Sequence, residues 1–467
     1  MANKEIALMA HLMRRAGFGA TRDELDSLVE QGYEETVEQL LSPEDLPPVD
    51  MYMLYRYNPW TEITRGGLDS GQVNWLYRMV YSRRHLQEKM ALFWHHVFAT
   101  GEEKVKILVN LLKQIEMFRE HGMGNYRDLL LRLARDPAMI FWLDNNENHK
   151  SSPNENWGRE LLELFSMGVG NYTEEDVFEC ARAFTGWTYR DMPQHPLGQF
   201  PWHFEYRPEE HDNTEKTFLG HTGNLNGEDI IDIIVRQPAC ARFISRHLYN
   251  FFVADEPEVP VWSIEPPRDP KAIELLSKVF VDSGYELKPV LRALFNSDFF
   301  KEAMFQKVRS PIEVVAGTLR LTRELQNPDP SLESVARWAG FMGQEILNPP
   351  TVEGWHTGQG WINSGAQVNR VNFVADRVGN VDLPGVQDII RRVAPNDSAI
   401  TAEALVDRCL DLMGPIEVIE ATRRELVDHA ESRGPISCAT DEEYAGFSRR
   451  VGDLLALIVA TKEYQFG

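Results

Sequence analysis

The sequence predicts a mostly α, multi-helix globular body with irregular Pro/Trp-rich loops and at most a small local sheet. Apolar residues recur at three- and four-residue spacing through most of the chain, as at Leu129, Leu130 and Leu133, which is the period of one helix face. Alternating Val, Ile and Thr segments bounded by hairpin turns are scarce. The aromatic, Pro-rich stretch from Trp187 to Leu219 is where we expect the sheet.

The composition is that of a folded protein with a large core. Of the 467 residues, 43% are hydrophobic and 25% are charged, an ordinary balance for globular chains. The formal net charge of −23 repels phosphate backbones and anionic membranes at long range. We therefore expect no nucleic-acid partner. No run approaches the roughly 20 apolar residues of a membrane span, so none is expected.

The helical blocks divide into a main body over residues 1–380 and a C-terminal helical segment over residues 381–467. The segment ends in the apolar-periodic stretch VGDLLALIVATKEYQF, which should dock on the body and bury its stripe. The sequence does not mark this boundary sharply, and it is equally compatible with one continuous domain.

The stretch EKMALFWHHVFATG, which begins at Glu88, predicts a core helix because it is apolar nearly all round. His95 lies opposite the main apolar stripe of this helix, so an imidazole is carried into a buried element. Such a histidine is more often a hydrogen-bonded core residue than a metal ligand. His96 points in another direction and cannot readily serve the same metal ion as His95.

A second helix is predicted over residues 153–167, within SSPNENWGRELLELFSM. Ser152 and Glu155 have the spacing of a capping box, and Gly168 suits the left-handed conformation that ends many helices. Arg159 has the i, i+4 spacing of a surface ion pair with Glu155.

Glu160 and Glu163 lie along the border of the apolar stripe of this second helix, which consists of Trp157, Leu161, Leu164 and Phe165. A carboxylate beside the core needs a partner, which is either a cation of the protein or a metal ion. An internal salt bridge with an arginine such as Arg15 or Arg182 is the more common arrangement for a single helix. Solvation alone does not explain why Glu160 lies there.

The stretch EEHDNTEKTFLG contains His211, Asp212 and Lys216 in a predicted loop. Such a cluster can supply metal ligands, an acid/base group or a cation for a buried carboxylate. It is equally well explained as a turn in which Asp212 binds its own backbone amides.

The stretch NPPTVEGWHTGQGWIN predicts a loop that contains Trp355 and Trp361. It lacks the lysine and hydroxyl of a phosphate-binding loop, which disfavours nucleotide binding. A Gly/Trp loop can form a stacking platform for a sugar or peptide, and as often its tryptophans fill the core. The same two interpretations apply to Trp187 in AFTGWTYR.

Seven segments of the chain are, in order, HLMRRAGFGAT, FWHHVFAT, NENWGRELLELFSMGVGNYTEEDV, ARAFTGWT, HDNTEKTFLG, PPTVEGWHTGQGWIN and LIVATKEYQ. Together they resemble the signature motifs of a bacterial family, domain-of-unknown-function family 1800 (DUF1800), over nearly the whole chain. Val97 stands where this family usually has a third histidine.

The resemblance implies a predominantly helical fold and a partner from a second family, number 1501, which is similar to alkaline phosphatases and sulfatases. It also implies export to the periplasm or the medium, which many members share. This chain shows no export signal, so the sequence itself predicts a cytoplasmic location by default.

Two functions are expected from these residues. The first is a metal-dependent enzyme, a hydrolase or oxidoreductase, with a divalent ion in a polar pocket inside the helical scaffold. Its candidate metal ligands are His95, Glu160, Glu163 and His211, and its candidate catalytic groups are Asp212 and Lys216.

The second expected function is a non-catalytic glycan- or peptide-binding or scaffolding protein that acts with the family 1501 partner. Its ligand groove would be lined by Trp187, Trp355 and Trp361. A glycosidase that uses two of the acidic residues is an intermediate case, because it needs a pair of carboxyl groups across a groove.

Overall fold

The protein is described by a computed structural model over residues 2–61, 67–191, 200–325, 331–394, 400–432, 434 and 436–467. Helices dominate these ranges, and the strands form two small antiparallel sheets. The predicted mostly α fold is therefore confirmed. No helix in the described ranges has the length and apolar character to cross a membrane.

The helices of the first half are 4 to 14 residues long. Their bounds are α1 Ala2–Arg15, α2 Arg22–Gln31, α3 Tyr33–Leu41, α4 Met51–Tyr57, α5 Leu68–Tyr81, α6 His85–Val97, α7 Glu102–Val105, α8 Leu108–His121, α9 Tyr126–Ala134, α10 Pro137–Trp142, α11 Asn156–Glu163 and α12 Glu174–Ala183. Single 3₁₀ turns lie at Pro43–Asp45, Pro59–Thr61 and Asn145–Glu147.

The second half continues the helical body. Its helices are α13 Gly227–Val235, α14 Pro238–Phe252, α15 Pro270–Asp282, α16 Leu287–Asn296, α17 Asp298–Lys301, α18 Pro311–Thr322, α19 Leu332–Ala336, α20 Trp338–Phe341, α21 Ser364–Val378, α22 Pro384–Val393, α23 Ala402–Leu412, α24 Glu420–Glu431 and α25 Asp441–Ala460. Further 3₁₀ turns lie at Val259–Ser263, Gly358–Trp361 and Glu463–Gln465.

The two sheets lie between α12 and α13, where the aromatic, Pro-rich stretch predicted a sheet. Strand β1 (Trp187–Arg190) pairs with β2 (His203–Tyr206), and β3 (Lys216–Phe218) pairs with β4 (His221–Gly223), both antiparallel. The turn of the second hairpin consists of Leu219 and Gly220, which both have positive φ, +46° and +79°. This turn matches the twist of a two-residue hairpin.

One hydrophobic cluster extends from Ile6 in α1 to Tyr464 near the C-terminus. Helix α6 contributes Phe93 and Trp94, which are fully buried. In the C-terminal segment, α25 packs against α21 and also contacts α23 and α24. The final helices therefore share the core of the preceding ones.

The predicted capping box at the start of the second helix is wrong, because α11 begins at Asn156 rather than at residue 153. The backbone N–H of Ser152 donates to the His149 carbonyl at 2.9 Å, which holds this segment in a turn. Asn154 accepts the Asn156 N–H at 3.0 Å instead. The Arg159–Glu155 ion pair is confirmed at 3.0 Å.

Helix α11 ends at Glu163, before the predicted residue 167, and turns lead on to Gly168. Gly168 has a φ of +77°, and its N–H donates to the Leu162 carbonyl at 3.0 Å. The left-handed glycine that was predicted to end this segment is therefore confirmed. The predicted apolar stripe is buried at Trp157, Leu161, Leu164 and Phe165.

Candidate functional site

His95 lies in the core, on α6. Its Nε2 accepts a hydrogen bond from the backbone N–H of Leu347 at 3.2 Å, and its ring packs edge-on against Trp75 and Trp355 at centroid distances of 5.4 and 5.2 Å. Burial lowers the pKa of His95 to about 3, so the imidazole is neutral at physiological pH. His95 joins α6 to the loop that precedes Trp355.

Glu160 lies near the carboxylates of Glu163 and Glu353. The Tyr172 hydroxyl donates to Glu163 at 3.2 Å. Burial, together with the charges of Glu163 and Glu353, raises the pKa of Glu160 to about 7. Arg182, one of the arginines considered as its partner, instead donates to Asp212.

His211, Asp212 and Lys216 form a hydrogen-bonded loop. His211 Nδ1 lies 2.8 Å from the Thr185 carbonyl oxygen. The Asp212 carboxylate accepts from Arg182 Nε and from the Thr214 N–H, both at 2.8 Å. Lys216 Nζ donates to the Asp212 carbonyl at 2.5 Å.

The charge state of this loop follows from these contacts. Burial opposes ionisation of Asp212, but the hydrogen bonds from Arg182 and Thr214 outweigh it and hold the pKa of Asp212 below its ordinary value. Burial also lowers the pKa values of Lys216 and His211. The side chains of Asp212 and Lys216 form hydrogen bonds only with the loop and with Arg182 among the described residues.

The candidate metal ligands and catalytic groups thus have three different sets of neighbours. His95 lies with Trp75 and Trp355, the two glutamates lie with Tyr172 and Glu353, and the His211 loop lies against Thr185 and Arg182. Across the described ranges, no three His, Cys, Asp or Glu side chains are placed to hold one metal ion.

The three candidate groove tryptophans are buried. Trp187 is 2% exposed and belongs to the main core, whereas Trp355 and Trp361, each 5% exposed, form a small cluster with Val308. Trp187 Nε1 donates to Asn226 at 3.0 Å. The indoles fill space beneath the surface.

A cavity of about 890 Å³ adjoins the Trp355/Trp361 loop and was not predicted from the sequence. We call it the loop cavity. Its lining residues are Asp255, Glu256, Pro257, Glu258, Arg268, Gln306, Val308, Thr357, Gly358, Gln359, Gly360, Ile362, Gln367, Ala460, Lys462, Gln465 and Phe466. The one sequence signal was the glycine-rich TGQG within the predicted loop, since the other walls come from distant segments.

One wall of the loop cavity is held by Asp255. Its carboxylate accepts from Lys307 Nζ at 2.6 Å and from the Val308 N–H at 2.9 Å. Gly358 has a φ of +55°, and a Cβ there would lie 3.0 Å from Asp255 Cγ. Glycine is needed at this position for both reasons.

Several polar groups of the loop cavity have no partner within the described residues. Gln367 Oε1 is buried and accepts no hydrogen bond. Gln359 and Lys462 are exposed, and neither side chain bonds to the described chain. The loop cavity therefore offers carboxamides and a cation that the fold itself does not use.

One known protein family matches this chain. The sequence profile of a family described as "Protein of unknown function (DUF1800)" matches residues 11–466. The chain belongs to this family. Neither the curated proteins nor the solved structures gave a match. The DUF1800 family description carries no activity.

Proposed function

We propose that this DUF1800 protein binds an oligosaccharide in the loop cavity. The observation that carries the proposal is the cavity of about 890 Å³ with unused carboxamides in its wall. Ligand pockets have volumes of roughly 300–1,000 Å³ and combine apolar lining with a few placed polar groups. Val308, Ile362 and Phe466 supply the apolar part.

The chemistry of the polar lining matches sugar hydroxyls. A carboxamide both donates and accepts hydrogen bonds, as a hydroxyl does, so Gln359 and Gln367 can each engage neighbouring hydroxyls of one ring. The side-chain amide nitrogen of Gln306 donates to the Glu302 carbonyl at 3.3 Å. The side-chain oxygen of Gln306 can therefore accept a hydrogen bond from a ligand.

Charged side chains of both signs line the loop cavity, and its cations can pair with an acidic sugar. Of its three carboxylates, Glu258 lies 2.9 Å from the exposed His356. The Asp255 carboxylate is occupied by Lys307, and the Glu256 carboxylate is paired with Arg246. Arg268 and Lys462 are exposed. Within the described residues neither forms an ion pair, although the charge of Lys462 acts on the neighbouring Glu463. These two cations can pair with a sugar carboxylate.

Glycan-array binding followed by calorimetry tests the proposal, with neutral and uronic-acid oligosaccharides as probes. Gln367→Ala and Gly358→Ala should each weaken binding of an acidic oligosaccharide by about tenfold or more, because one removes a polar contact and the other moves the wall. Gln387→Ala is the control, since this exposed glutamine lies outside the loop cavity.

A protein that binds no oligosaccharide would overturn the proposal, and so would equal binding by the wild type and the two cavity variants. Capture of acidic peptides instead would show that the loop cavity serves a peptide ligand.

A second candidate function is acid–base catalysis by Glu160. The raised pKa of about 7 allows this carboxyl to hold or release a proton near neutral pH, as a general acid or base must. Its neighbour Glu163 has a different environment, with the Tyr172 hydroxyl as donor. Turnover of chromogenic glycosides that is lost in Glu160→Gln but kept in Glu120→Gln would support catalysis.

Two expectations from the sequence stay predictions. The metal-dependent enzyme is tested by elemental analysis of the purified protein, with Glu160→Ala as control. The family 1501 partner is tested by co-purification with that protein.

A further inference from the structure

Partly buried arginines line a second, smaller cavity at the junction of α1, α18 and the C-terminal segment. Its volume is about 60 Å³, and we call it the arginine cavity. Its lining residues are Ala10, Arg14, Phe18, Gly19, Ala20, Arg309, Glu313, Gly317, Arg320, Leu321, Met413, Gly414 and Tyr464. Arg14 and Gly19 belong to the first family motif, HLMRRAGFGAT, which no step of the proposed function uses.

The carboxylates near the arginine cavity are already paired. Glu313 forms an ion pair with the fully buried Lys89 and lies 3.6 Å from Arg15 Nη1. Arg320 lies 3.3 Å from Glu24 at the surface. Each of these acids therefore already serves a cation other than Arg14 and Arg309.

Three arginines remain without a carboxylate partner among the described residues: Arg14, Arg309 and Arg370. Arg14 Nη1 donates to the Gly414 carbonyl at 2.6 Å, and Arg370 Nη2 donates to the Arg309 carbonyl at 2.7 Å. These neutral acceptors do not balance the guanidinium charges.

Several N–H groups of these arginines are buried and unpaired within the described chain. They are Arg14 Nε, Arg14 Nη2, Arg309 Nε and Arg370 Nη1. A buried donor left without an acceptor destabilises the fold, and more so when the donor is charged. Burial, then the charges of Arg309 and Arg15, lower the pKa of Arg14 to about 9, which is the electrostatic mark of a missing counter-charge.

We propose that Arg14 and Arg309 bind a tetrahedral oxyanion, phosphate or sulfate, in the arginine cavity. A cavity needs roughly 10–15 Å³ to hold one water, so about 60 Å³ has room for one such ion. The guanidinium fork matches two oxygens of a phosphate or sulfate at once.

The bound oxyanion would join two parts of the chain. Arg14 and Arg309 belong to the body, whereas Met413, Gly414 and Tyr464 belong to the C-terminal segment. An ion held between them neutralises the like charges that oppose this packing. The site is separate from the loop cavity, since the two share no lining residue.

Binding is tested on the full chain, purified without phosphate or sulfate, with inorganic phosphate and sulfate as probes. Calorimetry should show one site, and saturating anion should raise the Tm by about 2 °C. Arg14→Gln and Arg309→Gln should each weaken binding by about tenfold or more. Arg337→Gln is the control, because this exposed arginine pairs with Asp69 at the surface.

The source of the anion is distinguished by a second set of probes. Equal affinity for inorganic phosphate and for a phosphate monoester indicates the terminal group of a larger molecule, whereas binding of inorganic phosphate alone indicates the free ion. Ion chromatography of denatured wild-type protein then shows which anion is carried from the cell. If Arg14→Gln does not fold, the anion affinity of Arg309→Gln alone tests whether the arginine cavity binds the oxyanion.

The proposal is overturned if the wild type binds neither phosphate nor sulfate at millimolar concentration, or if both variants bind as tightly as the wild type. Failure here leaves oligosaccharide binding intact, because that test uses different residues and probes.

Discussion

Arg246 and Glu256 form an ion pair of 2.6 Å between Nη2 and Oε2, with side chains only 7% and 0% exposed. The Arg246 guanidinium lies over the Trp262 ring at 4.6 Å. The other Glu256 oxygen accepts the Arg268 N–H at 2.8 Å. This pair holds the segment after α14, which forms one side of the loop cavity, against the body.

Removing one charge of this pair should destabilise the fold. Glu256→Gln leaves the Arg246 guanidinium buried without a counter-charge, and we expect a loss of about 3–5 kcal/mol in the free energy of unfolding. Urea denaturation monitored by circular dichroism measures it. Glu38→Gln is the matched control: its pair with Arg292 is exposed, 45% on both sides, and should change stability by about 1 kcal/mol or less. Equal losses of stability in Glu256→Gln and Glu38→Gln would contradict the prediction that the buried ion pair contributes more to stability than the exposed one.

The Asp212 carboxylate should stabilise the fold, because its hydrogen bonds hold the loop that contains it against Arg182. Asp212→Asn removes the charge that Arg182 and the Thr214 N–H share, and hydrogen bonds to charged groups contribute about 1.5–3 kcal/mol each. We expect a loss of about 2 kcal/mol, measured by urea denaturation. Glu209→Gln, in the same loop but exposed, serves as control. An Asp212→Asn protein of wild-type stability that has lost a catalytic activity would instead favour the catalytic role predicted from the sequence.

Helical periodicity was sufficient to predict most of the architecture. The stripe at Trp157, Leu161 and Phe165 is buried as predicted, because the period of the sequence is the period of the element. Gly168 was predictable as a helix stop since its positive φ is costly for other residues. The start of α11 was not, because Ser152 is held by the backbone of His149, a contact that no capping pattern encodes.

The sequence did not predict the loop cavity or the arginine cavity, because each is lined by segments that are distant in sequence. The loop cavity is assembled from segments near Asp255, Gln306, Gly358 and Gln465, which are distant in sequence. Only the three-dimensional packing brings their side chains together. The sequence showed the glycine-rich loop but not the opposing walls.

Glu160 should make stability depend on pH in a predictable direction. The folded-state pKa of about 7 lies above the ordinary 4.5, so the folded protein binds the extra proton between these values. Stability from this group is therefore complete below about pH 4.5 and falls as the pH rises through about 7. Glu160→Gln stays neutral, so its Tm should exceed that of the wild type at pH 8 and match it near pH 4.5.

Thermal unfolding of both proteins from pH 4 to 8 measures this difference. Glu120→Gln, whose side chain is 61% exposed, is the control and should follow the wild type throughout. A Glu160→Gln protein whose Tm stays parallel to that of the wild type would show that Glu160 titrates normally.

Buried histidines should make the protein sensitive to acid. Burial lowers the pKa values of five histidines to about 3 or 4: they are His11, His85, His95, His96 and His247. Their ordinary value is 6.5, so between these pH values the unfolded chain binds more protons than the folded one. The stability from these groups is complete above pH 6.5 and is lost as the pH falls toward 3.

Two partly buried carboxyl groups oppose the effect of the histidines on the pH dependence of stability. Burial raises the pKa values of Asp136 and Glu160 to about 7, so each releases a proton on unfolding near pH 5.5. Against the five histidines, this leaves a net uptake of about three protons, and stability should fall as the pH drops.

The slope of the unfolding free energy against pH, from urea denaturation between pH 5 and 6.5, gives this proton uptake directly. His247→Phe should lower the uptake by about one proton, because its neutral imidazole is buried with Nε2 unpaired among the described residues. His356→Gln, at a side chain that is 70% exposed, is the matched control. A flat stability curve down to pH 5 would mean that the imidazoles are protonated in the folded protein. That result would contradict the neutral state inferred from the burial of His95 and His247.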